Sequence, residues 1–201
     1  MRRQVGLALA IAGAGLLVAT GTVYARGAIA RDRARGQWDA LVARRAVEAA
    51  HREGESVLGT RPARGAPIAR LRIPSASLDE IIVEGIGGAE LNAGPGHIPA
   101  SVVPGEIGRS VISAHRDRHF RTLGKVAVGD TLVTETATRV TRWVVVSRRI
   151  LPKETRVIFA ATRPILTLTT CWPLGYLGSA PDRLVLEAHS VAQPPPLRST
   201  S

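Results

Sequence analysis

The sequence predicts an all-β domain, a barrel or a sandwich, carried behind an N-terminal apolar helix. Between residues 68 and 191 seven or eight short runs alternate apolar and polar residues, as in Ile165-Leu-Thr-Leu-Thr-Thr170 and Arg183-Leu-Val-Leu-Glu187. Period-two alternation is the signature of strands with one face on a core. No ten-residue apolar helix separates those runs, which argues against alternating strand–helix units. Ahead of them, Val5 to Ala25 is uncharged and about 31 Å long as a helix, enough to match the hydrocarbon core of a bilayer.

Arg2 and Arg3 precede that apolar run. The arrangement reads as a signal-anchor, with residues 1–4 cytoplasmic, residues 5–25 in a single membrane pass and the remainder extracytoplasmic. A cleaved signal peptide is the competing reading, because Val23-Tyr24-Ala25 has small-residue cleavage-site character. Arg26, Arg31, Arg33 and Arg35 follow the run, and such charges favour the cytoplasmic side, so charge alone does not fix orientation. Both readings place the domain outside the cell membrane. Gly36 to Glu53 carries Trp38, Leu41, Val42, Ala46 and Ala49 at helical spacing. That spacing predicts a stalk helix lying on the membrane or docking to the domain, with a solvated spacer as the alternative. Gly54 to Pro67 has no periodicity and several Gly and Pro residues, so residues 26–67 read as stalk and linker.

The expected strands are Ala69 to Ile73, Leu78 to Glu84, Ser110 to Ala114, Thr131 to Thr136, Val140 to Ile150, Ile165 to Thr170 and Arg183 to His189, with an extra one near Arg156 to Phe159. The long loop from Gly85 to Arg109 holds Gly94-Pro-Gly-His-Ile-Pro99. A loop of that length in a compact domain is functional or contains a helical turn, which Ala89 to Ala93 could supply. Residues 192–201, with three consecutive prolines, read as a disordered tail beyond a domain at 68–191.

A chain of 201 residues suits one domain plus an appendage. Its aromatics are three Trp, two Tyr and two Phe, so the core must be mostly aliphatic. A net charge of +11 points to anionic partners such as a membrane, a cell wall or a nucleic acid. Nucleic acid is not expected, because zinc-finger spacing, a base-reading basic helix and aromatic-basic stacking strands are all missing from the sequence. One cysteine excludes an intrachain disulfide and leaves a thiol that is either buried and inert or reactive.

That cysteine, Cys171, ends one alternating run, and Arg183 begins the next. If the two runs pair antiparallel, Cys171 and Arg183 become neighbours off the leucine face. A thiol beside a fixed cation has the environment of a nucleophile with an oxyanion donor. Val111-Ile-Ser-Ala-His115 delivers a histidine to a strand's C-terminal end. His115 reaches Cys171 only if those two strands run parallel and adjacent.

Ile112-Ser-Ala-His-Arg-Asp117, Leu166-Thr-Leu-Thr-Thr-Cys171, the eleven-residue gap to Arg183 and Gly94-Pro-Gly-His-Ile-Pro99 together resemble the sortase family of cysteine transpeptidases over roughly Ile68 to His189. The Cys171 to Arg183 segment and His119-Phe-Arg-Thr-Leu-Gly-Lys125 look most like class D sortases. The resemblance implies an eight-stranded β-barrel with short helical turns, Cys171 as nucleophile, His115 as general acid/base, and Arg183 as oxyanion or substrate-positioning group. It also implies a donor protein with an LPxTG-like sorting signal, an amine acceptor on a peptidoglycan precursor or a pilin lysine, and no cofactor. His97, Asp117, Thr170 and Trp172 are candidates for substrate contact, in a groove roofed by residues 172–176 and 94–99. Ala114 and Trp172 depart from the family's commoner residues at those places.

Rival readings are a membrane-anchored cysteine peptidase acting as a hydrolase, and a tethered β-barrel binding module with an incidental thiol. His115 and His119 share an i, i+4 spacing without the His-Glu-x-x-His order of a zinc site, so no metal is expected. His115-Arg-Asp117 also spells the start of a kinase catalytic loop, but the required Asn is Thr122 and no Gly-rich phosphate loop is present.

Overall fold

Residues 2–51, 62–156, 158–176 and 178–191 are described by a computed structural model. Residues 54–61 of the expected linker Gly54 to Pro67, the tail at 192–201 and Val157 of the extra strand lie outside the described residues. Helix α1 (Arg2–His51) runs unbroken, so the anticipated span and stalk are one helix. Its apolar N-terminal part is long enough to cross a membrane, and Leu9, Leu16, Leu17 and Val18 are exposed there.

Eight strands form a closed barrel in the order β1-β2-β3-β4-β7-β8-β6-β5. They are β1 (Pro67–Ile73), β2 (Leu78–Glu84), β3 (Gly96–His97), β4 (Gly108–Ala114), β5 (Thr131–Thr136), β6 (Val140–Pro152), β7 (Pro164–Trp172) and β8 (Asp182–Ser190). The eighth strand is therefore Gly96–His97 inside the long loop, and the described residues of Arg156 to Phe159 form no strand. The helical turn appears as α2 (Gly88–Ala93). Glycine explains β3's position: a Cβ on Gly94 would lie 2.3 Å from the Ile81 carbonyl oxygen, and one on Gly96 2.2 Å from that of Gly85. Only residues without side chains let this backbone run so close to β2.

The barrel interior is filled by the alternating apolar set, with Leu71, Ile73, Ile82, Ile112, Leu132, Leu166, Leu168, Leu184 and Leu186 buried in one cluster. The Trp143 indole donates to Thr134 Oγ1 at 2.8 Å, so its buried N–H is satisfied. Arg70 and Arg72 point off that face, to Asp79 and Glu135. The run Ile81-Ile-Val83 is apolar on both faces for a reason outside the barrel. Ile82 faces the core, while Ile81 and Val83 pack against Ala34 and Trp38 of α1. The stalk residues thus dock to the domain, and Leu41, Val42 and Ala93 border the contact. Polar contacts reinforce it: His119 Nδ1 lies 3.2 Å from Glu80 and 3.4 Å from Arg31, and Arg118 stacks over Tyr24 at 5.0 Å.

Candidate active site

The site is assembled by three adjacent strands. β4 and β7 run parallel with Ala114 opposite Thr170, so both strands end at the same rim. There β4 passes into His115 and β7 into Cys171. β7 and β8 run antiparallel with Cys171 opposite Arg183. Leu166, Leu168 and Thr170 alternate into the core, and so do Leu184 and Leu186. That inward set sends Cys171 and Arg183 to the outer face.

His115, Cys171 and Arg183 line one cleft of about 600 Å³, together with Arg116, Asp117, Lys153, Leu174 and Tyr176. All three are partly buried. Arg183 Nε donates to the Lys153 carbonyl at 3.5 Å, and its two terminal nitrogens have no partner among the described residues. A guanidinium in that position can donate to an oxyanion. Burial pushes the His115 imidazole below its ordinary pKa; the Asp117 carboxylate opposes this, and Arg118 and His119 add to it. A proton on that ring is therefore given up readily. Arg116 does not pair with Asp117. Its Nη2 donates to the carbonyls of Tyr176 and Gly178, each at 2.7 Å.

A second groove, about 510 Å³, runs along the outer faces of β4, β7, β8 and β6 and shares Lys153 and Arg183 with the cleft. Thr167, Thr169, Val185 and Glu187 form its floor with Val111 and Ser113, and Ile86, Ile98 and Ile158 line its walls. β7 is thus buried on both faces, where one face was expected to be open. Arg109 Nη1 donates to Glu187 at 2.7 Å and to Thr167 Oγ1 at 2.8 Å. Burial pushes the Glu187 carboxyl up, but the Arg109 and His189 contacts together hold it below its usual range. Thr169 Oγ1 is buried with no partner among the described residues.

Three sequence candidates are placed away from this cleft. Thr170 is fully buried and donates to the Ala114 carbonyl at 2.7 Å, because it alternates inward with the leucines. Its contact ties the strand bearing the cysteine to the strand bearing the histidine. His97 is buried between Glu84, 2.6 Å from Nδ1, and Val102 and Ser101, each 2.9 Å from Nε2. β3 pairing holds it on the other flank of β4. Trp172 alternates to the core side, packs there and stacks with Arg148 at 5.7 Å. Of those four candidates only Asp117 lines the cleft. Leu174 and Tyr176 supply the expected wall, whereas residues 94–99 do not reach the cleft. The sequence reading missed the groove floor, although the period that turned Cys171 outward also turns Thr167 and Thr169 outward. It missed Arg116 and Lys153, whose places depend on loop conformations that carry no periodic signal.

Residues 71–191 match the sortase domain family. The chain is 34% identical over 128 residues to Sortase D of Bacillus subtilis, an alignment covering 63% of this chain and 65% of that protein. It is 33% identical to the catalytic domain of B. anthracis SrtD, covering 70% of this chain and 97% of that one with a TM-score of 0.56. A Clostridium perfringens Sortase D5 transpeptidase shares the fold at 18% identity, with a TM-score of 0.64 over 84% of this chain and 99% of that one. More than half of the sequence lies inside the matched domain, and the barrel is that of these structures: the chain belongs to the sortase family.

Proposed function

We propose that this protein is a membrane-anchored transpeptidase with an extracytoplasmic catalytic domain. Cys171 attacks the carbonyl carbon of a peptide bond in an LPxTG-like sorting signal, Arg183 stabilises the oxyanion, and protonated His115 gives its proton to the departing amine. The donor's acyl part stays on sulfur as a thioester. An amine on a peptidoglycan precursor or a pilin lysine then forms the C–N bond as the C–S bond breaks, passing its proton to His115 and restoring the thiolate. The observation that carries this reading is the register: Cys171 opposite Arg183, and Ala114 opposite Thr170, with the three side chains lining one cleft. The groove that meets the cleft at Arg183 suits an extended donor peptide, its upstream residues lying over Thr169 and Thr167. Helix α1 supplies the anchor, with residues 5–25 as the membrane pass and the docked stalk holding the barrel beside it.

The test uses the full chain in detergent with a library of LPxTG-like peptides and candidate amines, read by mass spectrometry. A thioacyl adduct on Cys171 and an amine-ligated product are expected, both lost in Cys171→Ala. Cleavage without ligated product at any amine concentration would favour the hydrolase. No adduct with any peptide, and no labelling of Cys171 by a vinyl sulfone near neutral pH, would favour the binding module.

A further inference from the structure

We infer that Arg116 is a positioning residue for the acceptor amine, holding in place the far wall of the cleft beside His115. This rests on the transpeptidase reading. The groove over Thr167 and Thr169 and the cleft beside His115 are two separate spaces meeting at Arg183 and Lys153. Cys171 and His115 line the cleft and not the groove. In acylation His115 protonates the leaving amine, so that amine departs through the cleft while the acyl part keeps the groove. The reverse of that step describes how an amine attacks. The incoming nitrogen must therefore stand where the departing one stood, with its proton aimed at the same imidazole.

The cleft's two walls come from separate loops. One continues from His115 through Asp117; the other includes Tyr176 and Gly178, between β7 and β8. Arg116 joins them with two charged hydrogen bonds of 2.7 Å to the carbonyls of Tyr176 and Gly178, and its guanidinium lies 5.9 Å from the Tyr176 ring centre. Gly178 holds φ +92, a conformation that suits glycine and sets the direction of its carbonyl. A wall fixed in this way orders the amine for attack. With the wall released, the thioester still forms, because the groove, Cys171 and Arg183 are untouched and the His115 backbone stays held by the Arg118 and Phe120 N–H groups. Water, which needs no binding wall, then competes better for it.

Two variants isolate the effect. Arg116→Gln removes the charged fork, and Gly178→Ala adds a methyl that meets nothing within 4 Å but disfavours the positive φ. Each is assayed as the full chain in detergent, with a donor peptide cleaved by the parent, graded diglycine or Nα-acetyl-lysine as acceptor, and hydroxylamine as a small trap. The expected result for both is thioacyl formation within about threefold of the parent and unchanged hydroxylamine trapping. The ratio of amine transfer to hydrolysis falls about tenfold, with a raised KM for the amine, a change of about 1.4 kcal/mol in the competition. A ratio within twofold of the parent in both variants overturns the proposal, as does a proportional loss of acylation, trapping and transfer. A parent that cleaves no peptide counts against the transpeptidase reading itself, and the role of Arg116 falls with it.

Discussion

Cys171 and Arg183 are register partners across the antiparallel pair of β7 and β8. Directly opposed residues in such a pair have Cα atoms about 4.5 to 5.5 Å apart and side chains on the same face. A slip of one residue would turn both away from the cleft and expose the leucines that now fill the barrel. Burial of Leu166, Leu168, Leu184 and Leu186 therefore keeps Cys171 and Arg183 side by side on the cleft face, and core packing and the geometry of the cleft are one constraint.

Arg183→Lys keeps the charge but replaces a planar fork with a point donor. Arg183 is already tethered through Nε to Lys153, which aims its terminal nitrogens, and lysine has no second nitrogen with which to do both. Thioacyl formation should fall on the order of 100-fold, the scale of losing an oxyanion donor, with an unchanged melting temperature. Unaltered single-turnover acylation in the lysine variant removes Arg183 from the site.

Leu168 lies opposite Leu186 in register and is fully buried. Leu168→Ala should cost roughly 2 to 5 kcal/mol. Thr170→Val keeps the shape but deprives the Ala114 carbonyl of its 2.7 Å donor, at about 1 to 3 kcal/mol. Because Ala114 precedes His115, the valine variant should also cleave donor peptide more slowly, by roughly tenfold for a small displacement of the acid. Denaturant titration and single-turnover acylation measure the two effects. Full stability in Leu168→Ala would contradict the assignment of the leucine face.

His115 titrates below the ordinary histidine value of about 6.5 because the folded site disfavours its charge. Between the lowered folded value and about 6.5 the unfolded chain binds more protons than the native one, so stability rises with pH across that window. On acidification through it the protein should lose stability that a His115→Gln variant does not lose. Asp117 is the neighbour that opposes the shift, so Asp117→Asn should move the His115 titration to still lower pH, followed by NMR of the ring protons. An upward shift in Asp117→Asn contradicts this electrostatic account.

Much of this architecture was legible because short-range periodicity and long-range register are coupled in a barrel. Leu78 to Glu84 and Thr131 to Thr136 were bounded as they stand, and the alternation about Cys171 and Arg183 placed both side chains correctly. What failed had nonlocal causes. Arg156 to Phe159 has the composition of a strand, but the barrel closes without it, through the two-residue Gly96–His97 that only close approach to β2 permits. Thr170 sits next to Cys171 in sequence and therefore on the opposite face, which adjacency alone disguised. The apolar outer face of β2 could not be understood before α1 was seen to cover it. Arg116 carries no pattern at all, since its partners are carbonyls sixty and sixty-two positions away.

Trp38 decides whether α1 is a passive tether or part of the domain. It is 2% exposed, packed with Ala34 against Ile81 and Val83 of β2, and flanked by the Arg31, Glu80 and His119 contacts. Those contacts reach the loop that begins at His115, so undocking the helix would loosen the acid's own segment. Trp38→Ala should cost about 3 to 5 kcal/mol, the range for a buried tryptophan, and should speed amide exchange in residues 34–45 ahead of the barrel strands. Donor cleavage should fall while Cys171 still reacts with a small thiol reagent. If Trp38→Ala melts as the parent does, with exchange in 34–45 unchanged, the helix is a spacer and the barrel stands without it.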